Sequence, residues 1–116
     1  MKKILIISIF ISVYSNAVMA NGSGEGPITF ELVGYPITAQ TSSVFFTTPP
    51  AYLTDTPACN TALRWVVDMS KPNGKDIYSF ILAASISGKE IYVRGAGTCD
   101  VFSDSETVKW VKFRNQ

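Results

Sequence analysis

Short runs of apolar, β-branched and aromatic residues recur along the chain, separated by glycine, proline and small polar residues. Runs of this length and composition, several with alternating apolar and polar positions, predict β-strands. Five strands are predicted, over residues 28–33, 43–48, 63–68, 90–94 and 107–113. Ahead of them, residues 21–27 are rich in glycine and poor in apolar side chains, so we predict a mobile tail there.

Strict alternation assigns side chains to faces. In the second strand Phe45 and its neighbour Phe46 must point to opposite faces, so we expect one in the core and the other exposed or at an interface. In the fifth strand we expect Val108 and Trp110 on one face, and Val111 on the other. Packing in the core is the favoured role of Trp110, because large rings dominate small cores.

The periodicity changes over residues 75–87. Four apolar residues follow the i, i+3, i+4, i+7 spacing of a helix, namely Ile77, Phe80, Ile81 and Ala84. Asn73 is predicted to cap the amino end, with Asp76 in the first turn, and Gly88 to end the helix in the left-handed conformation.

Other positions of the same helix are also apolar, among them Tyr78, Leu82 and Ile86. A helix that is apolar on most faces is either deeply buried or covered by another chain. A domain of this size can bury every face of a helix only with difficulty. We therefore predict that these three residues lie at an interface between copies of the chain.

The first twenty residues predict a secretory signal peptide. Lys2 and Lys3 precede an apolar run over residues 4–13, and small residues end the segment at Ala20, where cleavage is expected. A membrane anchor needs about 20 apolar residues, and polar residues interrupt this run after about ten. No later segment is apolar enough to span a membrane, so we expect a secreted or periplasmic protein.

Cleavage removes Lys2 and Lys3, which changes the formal net charge from +1 to −1. This balance does not favour nucleic-acid binding. Cys59 and Cys99 are the only cysteines, and in an oxidising compartment they are predicted to form one disulfide.

The chain contains no histidine. Histidine serves in the usual nucleophile triads, in most zinc sites and in much acid–base catalysis, so we expect no enzyme activity, no catalytic residue and no metal or cofactor. Asp100, Asp104 and Glu106 lie close together but lack the spacing of a calcium loop, which favours a solvated acidic turn.

The predicted order is three strands, one helix and two strands. This is the element order of the OB-fold, a small five-stranded Greek-key barrel. We therefore predict a mainly β domain with one helix over residues 28–116, OB-fold-like in architecture.

Residues 59–99 also resemble a group of small exported bacterial proteins similar to the B subunit of subtilase cytotoxin. The resemblance is carried by Cys59, Arg64-Trp65-Val66-Val67-Asp68, Gly74-Lys75, Tyr78-Ser79, Ser87-Gly88-Lys89, Gly95 and Gly97-Thr98-Cys99. It implies an OB-fold subunit of a toxin with one A chain and five B chains. It further implies a pentameric ring with its helices toward a central pore, a toxin A chain as partner, and sugar binding on the outer surface of the barrel.

Sugar-binding surfaces combine aromatic rings with hydroxyl, amide or guanidinium groups. On this basis the candidate ligand-binding residues are Phe46, Tyr52, Arg64, Tyr92 and Arg94. The resulting hypothesis is a non-enzymatic exported protein that recognises host cell-surface glycans as an oligomer. A periplasmic domain that binds or inhibits another protein, without a sugar site, is the alternative, and a purely structural exported domain is a third.

Overall fold

The computed structural model describes residues 21–115, so the predicted signal peptide, residues 1–20, lies outside the described part. Residues 21–115 form six strands and one α-helix. In chain order they are β1 (Ser23–Gly26), β2 (Thr29–Pro36), β3 (Ser42–Thr47), β4 (Trp65–Asp68), α1 (Pro72–Ser87), β5 (Ile91–Gly95) and β6 (Glu106–Phe113). A turn of 3-10 helix over Pro50–Tyr52 follows β3. The prediction of a mainly β fold with one helix is confirmed.

The strands form one sheet in the order β1-β5-β6-β4-β3-β2. All neighbours are antiparallel except β4 and β6, which run parallel with Trp65 opposite Glu106. Consecutive strands β2, β3 and β4 form a meander, and the chain then returns so that its last strand lies beside β4. The two edge strands, β1 and β2, are consecutive in the chain, with only Pro27 and Ile28 between them.

The prediction of a mobile tail over residues 21–27 is wrong. β1 pairs antiparallel with β5, and Ser23, Gly24 and Gly26 are buried. Its glycines are needed for close packing, because a Cβ at Gly24 would lie 2.7 Å from Thr48 Oγ1. The glycine-rich composition that predicted disorder is instead required by the close packing around β1. With β1 included, the sheet has six strands rather than the five predicted.

The helix begins earlier than predicted. Pro72 is its first residue and Lys71 its N-cap, with no capping side-chain hydrogen bond, so Asn73 lies within the helix. Proline is favoured at this position because its missing N–H would have had no partner there. At the other end Gly88 adopts the predicted left-handed conformation, with φ 69°. None of the described helices is long and apolar enough to cross a membrane.

The helix covers the inner face of the sheet. The buried core between them consists of Val44, Phe46, Trp65, Val67, Ile77, Ile81, Ala84, Ile91, Val93 and Val108. The single polar atom of the Trp65 ring is satisfied, because Nε1 donates a hydrogen bond to Thr48 Oγ1 at 3.1 Å. Four apolar positions of α1 predicted to share a face do so: three are fully or nearly buried, and Phe80 packs against the same core.

A second apolar cluster lies on the outer face of β3 and β4. Phe45 is fully buried there, and the rings of Tyr35 and Phe102 pack edge-on against it with centroids at 5.8 and 5.1 Å. The predicted disulfide is confirmed: Cys59 bonds to Cys99, with 6.1 Å between their Cα atoms. It anchors the segment that carries Phe102 over the sheet.

Strand β6 does not alternate along its whole length. Arg94 pairs with Trp110 but the next residue, Gly95, pairs with Val108, so β6 holds one extra residue at this point. Such a β-bulge shifts every later side chain to the other face. Val108 and Val111 therefore both pack on the core side, whereas Trp110 is exposed. The predicted sharing of a face by Val108 and Trp110 is wrong.

Candidate functional site

The β-bulge turns Trp110 outward from the sheet. Its side chain is 42% exposed, and its ring packs on that of Tyr92 with centroids 5.7 Å apart and an angle of 31° between the planes. Arg94 is the cross-strand partner of Trp110, and Lys112 that of Tyr92. The Lys112 ammonium lies 5.3 Å from the centre of the Tyr92 ring. We call these four residues the aromatic–basic face.

Two cavities lie in the cleft between the amino-terminal turns of α1 and strand β6, and the smaller of them reaches Trp110. The larger, about 490 Å³, includes Lys71, Asn73, Asp100, Thr107 and Lys109 in its lining. The smaller, about 270 Å³, includes Asn73, Asp76, Phe80, Lys109 and Trp110. Because Asn73, Ile77 and Lys109 line both cavities, we treat the two as one feature, the α1–β6 groove, with Trp110 at one end.

Asp100 contributes a negative charge to the groove. Its Oδ1 accepts hydrogen bonds from Thr107 Oγ1 at 2.7 Å and from Thr98 Oγ1 at 3.0 Å. These bonds, that of Thr107 above all, lower the pKa of the exposed Asp100 carboxyl, although desolvation opposes the shift. The group is therefore ionised at neutral pH, and its free lone pairs can accept hydrogen bonds from ligand hydroxyl groups.

Three of the predicted ligand-binding residues lie on one side of the molecule. Tyr92 and Arg94 belong to the aromatic–basic face itself. Tyr52 borders it: its ring is 49% exposed and lies beneath the Arg114 guanidinium at 5.2 Å. Arg114 also pairs with Glu25, the cross-strand neighbour of Tyr92.

Arg64 lies elsewhere, over the apolar cluster of Tyr35, Phe45 and Phe102, which we call the outer aromatic cluster. Its N–H donors already have partners. Its Nε donates to Ser105 Oγ at 2.8 Å, and its two terminal nitrogens pair with Glu31 and Asp104, each at 3.2 Å. Its guanidinium carbon lies 4.3 Å from the centre of the Phe45 ring. Hydrogen bonds from Ser105 and then Arg64 lower the pKa of Asp104, so the pairing holds at neutral pH. Arg64 therefore stabilises the outer aromatic cluster.

Phe46 is fully buried in the core. The interpretation of Phe46 as a ligand-binding residue is therefore wrong, and alternation gives the physical reason. Both faces of β3 are covered, so Phe45 and Phe46 are each buried although they point in opposite directions.

The predicted interface residues differ in exposure. Tyr78 is half-buried, with its ring edge-on to Phe30 at 6.2 Å. Leu82 is 37% exposed and Ile86 79% exposed. Leu82 and Ile86 therefore form an apolar stripe on the outer side of α1.

Trp110, Asn73, Asp100 and Lys109 were not among the predicted site residues. The sequence did contain a signal for Trp110, because it stands in a strand between two lysines. The bulge that exposes Trp110 is not visible in the sequence, since alternation alone assigned it to the face of Val108. Among residues 21–115 no group of three or more potential metal-ligating side chains is found.

Comparisons of this chain with known protein families, curated proteins and solved structures gave no match. The features of the molecule that bear on function are the aromatic–basic face, the α1–β6 groove and the stripe on α1.

Proposed function

We propose that this protein is an exported, non-enzymatic protein that binds carbohydrate through the aromatic–basic face and the α1–β6 groove. The observation that carries the proposal is the exposed ring of Trp110 packed on Tyr92, in a sheet whose other tryptophan, Trp65, is buried. Sugars present apolar C–H faces that pack on aromatic rings, and a solvent-exposed ring pair offers such a platform.

The groove supplies the polar part of the recognition. Asp100 accepts hydrogen bonds, Lys109 donates them, and the amide of Asn73 can do both. Sugar hydroxyl groups also donate and accept, so this set suits them. A few polar groups beside an apolar platform are the usual composition of a small-ligand site.

Export is supported by the confirmed disulfide between Cys59 and Cys99, since structural disulfides are typical of oxidising compartments. It is also supported by the signal-peptide pattern of residues 1–20 and the predicted cleavage after Ala20. We propose secretion or periplasmic residence on these grounds.

An OB-fold-like barrel is the proposed architecture. Its support is the meander β2-β3-β4, the parallel return of β6 beside β4, and the position of the two consecutive strands β1 and β2 at opposite edges of one sheet. A curled sheet with this order is consistent with a partly open Greek-key barrel. The additional strand β1 is the departure from the five predicted strands.

We also propose that the chain forms a homo-oligomer, with the pentamer as the state that the resemblance to toxin B subunits implies. The support is the exposed stripe of Leu82 and Ile86 together with β2, an edge strand that exposes Leu32 and Val33. Exposed apolar patches and free strand edges are typical of association surfaces. A toxin A chain as partner stays a prediction of the resemblance.

The stripe also favours the alternative function, a domain that binds another protein and has no sugar site. Light scattering on the processed protein distinguishes self-association through the stripe from binding of a different protein. We expect a concentration-independent oligomer that Ile86→Glu dissociates, because a buried unpaired carboxylate is costly. A monomer at every concentration, with no glycan bound, would favour the protein-binding alternative.

A glycan array with processed, disulfide-bonded protein tests carbohydrate binding directly. For the tightest glycan found, Trp110→Ala should weaken binding by about fivefold to twelvefold, since an aromatic contact of about 1 to 1.5 kcal/mol is lost. Trp110→Phe keeps a ring and should retain most of the affinity. Leu63→Ala, which removes an exposed apolar side chain elsewhere, is the matched control. Equal binding by Trp110→Ala and wild type would refute the proposed site.

A further inference from the structure

Glu106 begins β6 and is fully buried, yet it takes no part in the aromatic–basic face or the groove. Its carboxyl group lies against the backbone of three glycines, Gly22, Gly95 and Gly97. A Cβ at Gly22 would lie 2.1 Å from Oε1, and one at Gly95 would lie 1.8 Å from Oε2. The glycines thus make room for a carboxyl group that is costly to bury without partners.

The two carboxyl oxygens of Glu106 differ in their partners. Oε2 accepts hydrogen bonds from the backbone N–H of Gly22 at 2.9 Å and of Gly97 at 3.0 Å. Oε1 is buried and has no hydrogen-bond partner within residues 21–115. Burial raises the pKa of Glu106, and the hydrogen bonds from Gly97 and Gly22, followed by the charge of Arg94 on β5, oppose that shift. The site therefore lacks one donor.

The amino group that signal-peptide cleavage would create at Asn21 can supply the missing donor. Oε1 lies beside Gly22, and the bond predicted to be cleaved, between Ala20 and Asn21, is one residue away. Hydrolysis of that bond consumes one water and leaves a carboxylate on Ala20 and an amino group on Asn21. The amino group has an ordinary pKa of about 7.7 to 8.0, so it is mostly protonated at neutral pH. Because adjacent residues are about 3.8 Å apart, this ammonium is one backbone step from the N–H that already bonds Glu106.

We infer that Glu106 accepts the N-terminal ammonium of Asn21 once the signal peptide is removed, and that this ion pair holds β1 in the sheet. Before cleavage the nitrogen of Asn21 is a neutral amide with one hydrogen. After cleavage it carries a positive charge and three donors, which match the unpartnered Oε1. Since β1 is paired with β5 and contacts Thr54 on its other side, fixing its first residues stabilises that edge of the sheet.

Three forms of the processed chain test this inference by urea unfolding at pH 6.5. They are the chain starting at Asn21, the same chain with one serine added before Asn21, and the chain acetylated at Asn21. A charged hydrogen bond is worth enough that either change should raise the unfolding equilibrium constant by about tenfold to a hundredfold. In Glu106→Gln the three forms should differ by less than about twofold, because the charged acceptor is gone.

A second measurement needs no substitution. The pKa of the Asn21 amino group, followed by NMR in the wild-type chain, should rise above its ordinary range of about 7.7 to 8.0. A raised pKa means that the stabilisation is present below that range and is lost as the pH rises through the folded-state pKa. The unacetylated chain should therefore lose its advantage over the acetylated one at high pH.

Glu25→Gln is the matched control. It removes a different carboxylate, which lies on β1 and pairs with Arg114 on the exposed side of the sheet. The difference between the three N-terminal forms should persist in this variant. Cleavage at another bond, shown by the intact mass of the exported protein, would overturn the inference. So would equal unfolding of the three wild-type forms, or an Asn21 amino group with an ordinary pKa.

Discussion

Arg64 directly precedes Trp65, and Arg94 lies two residues after Tyr92, so both were candidates for ligand binding. Their surroundings differ. Arg64 is 16% exposed and uses its donors on Ser105, Glu31 and Asp104. Within residues 21–115, the side chain of Arg94 makes no hydrogen bond or ion pair, and it lies beside an exposed tryptophan.

The difference shows how to distinguish a structural arginine from one available for recognition. A guanidinium group has five N–H donors in a fixed fork. Where carboxylates and hydroxyls of the same chain occupy them and a ring covers the plane, the arginine stabilises the fold. Where the N–H donors have no partner and lie beside an exposed aromatic platform, they can bind a ligand. The following experiments test this contrast between the outer aromatic cluster and the aromatic–basic face.

Removal of the disulfide should have the largest effect on stability. The double variant Cys59→Ser, Cys99→Ser opens a loop with a sequence separation of 40 and frees the segment that carries Phe102. We expect a loss of about 3 to 4 kcal/mol in the free energy of unfolding, measured with urea. Tyr92 and Arg94 lie within this loop, but on β5, which is paired with β1 on one side and β6 on the other. Ligand affinity of the folded fraction should therefore stay unchanged. An unaltered unfolding midpoint would contradict the structural role of the bond.

Arg64→Ala should be next in size. It leaves Glu31 and Asp104 without their cation and uncovers the Phe45 ring, at a cost of about 2 to 3 kcal/mol after allowance for the partial exposure of both carboxylates. Arg94→Ala is the matched variant. It should change stability by less than about 0.5 kcal/mol but weaken ligand binding. Equal destabilisation by the two substitutions would remove the distinction between the two arginines.

The same contrast holds for the aromatic residues. Phe102→Ala should lower the free energy of unfolding by about 1 to 2 kcal/mol, because its ring packs on Phe45 and Tyr35. Trp110→Ala should cost less than about 1 kcal/mol, since the ring is largely in solvent and loses only its contact with Tyr92. Calorimetry on both variants provides the comparison, and a Trp110 variant less stable than the Phe102 variant would reverse it.

Asp100→Asn should have the smallest effect. Because hydrogen bonds lower the pKa of Asp100 in the folded chain, its contribution is present at neutral pH and is lost as the pH falls through the acid range. The group is exposed, so we expect a loss of only about 0.3 kcal/mol at pH 7. At pH 2 wild type and variant should unfold alike. A difference of equal size at both pH values would show that the carboxylate charge is not the cause.

The helix can be predicted from local sequence, whereas β1 cannot. The helix was predicted from local spacing, and the left-handed Gly88 at its end was correct. The predicted N-cap, Asn73, lies too late in the chain, because Pro72 already occupies the first helical position, where its missing N–H costs nothing. β1 was missed, since its stability comes from pairing with β5 and from glycines that fit against Glu106 and Thr48.

The candidate site shows the same limit. Tyr92 and Arg94 were predicted from aromatic and basic neighbours on a strand, and the structure places them together. Trp110 and the groove could not be predicted, because both depend on one extra residue in β6 and on how closely α1 approaches it. Phe46 was misassigned because alternation tells which residues share a face and not whether the face is covered.

The local elements can be predicted from the sequence alone: the helix with the glycine that ends it, five of the six strands, and the pairing of the only two cysteines. These follow from interactions between residues close in the chain, or from there being one possible partner. The tertiary structure alone decided which arginine is occupied, which tryptophan is exposed, and that Glu106 lies buried beside Gly22. Each of these depends on contacts between residues far apart in the chain, which no local pattern encodes.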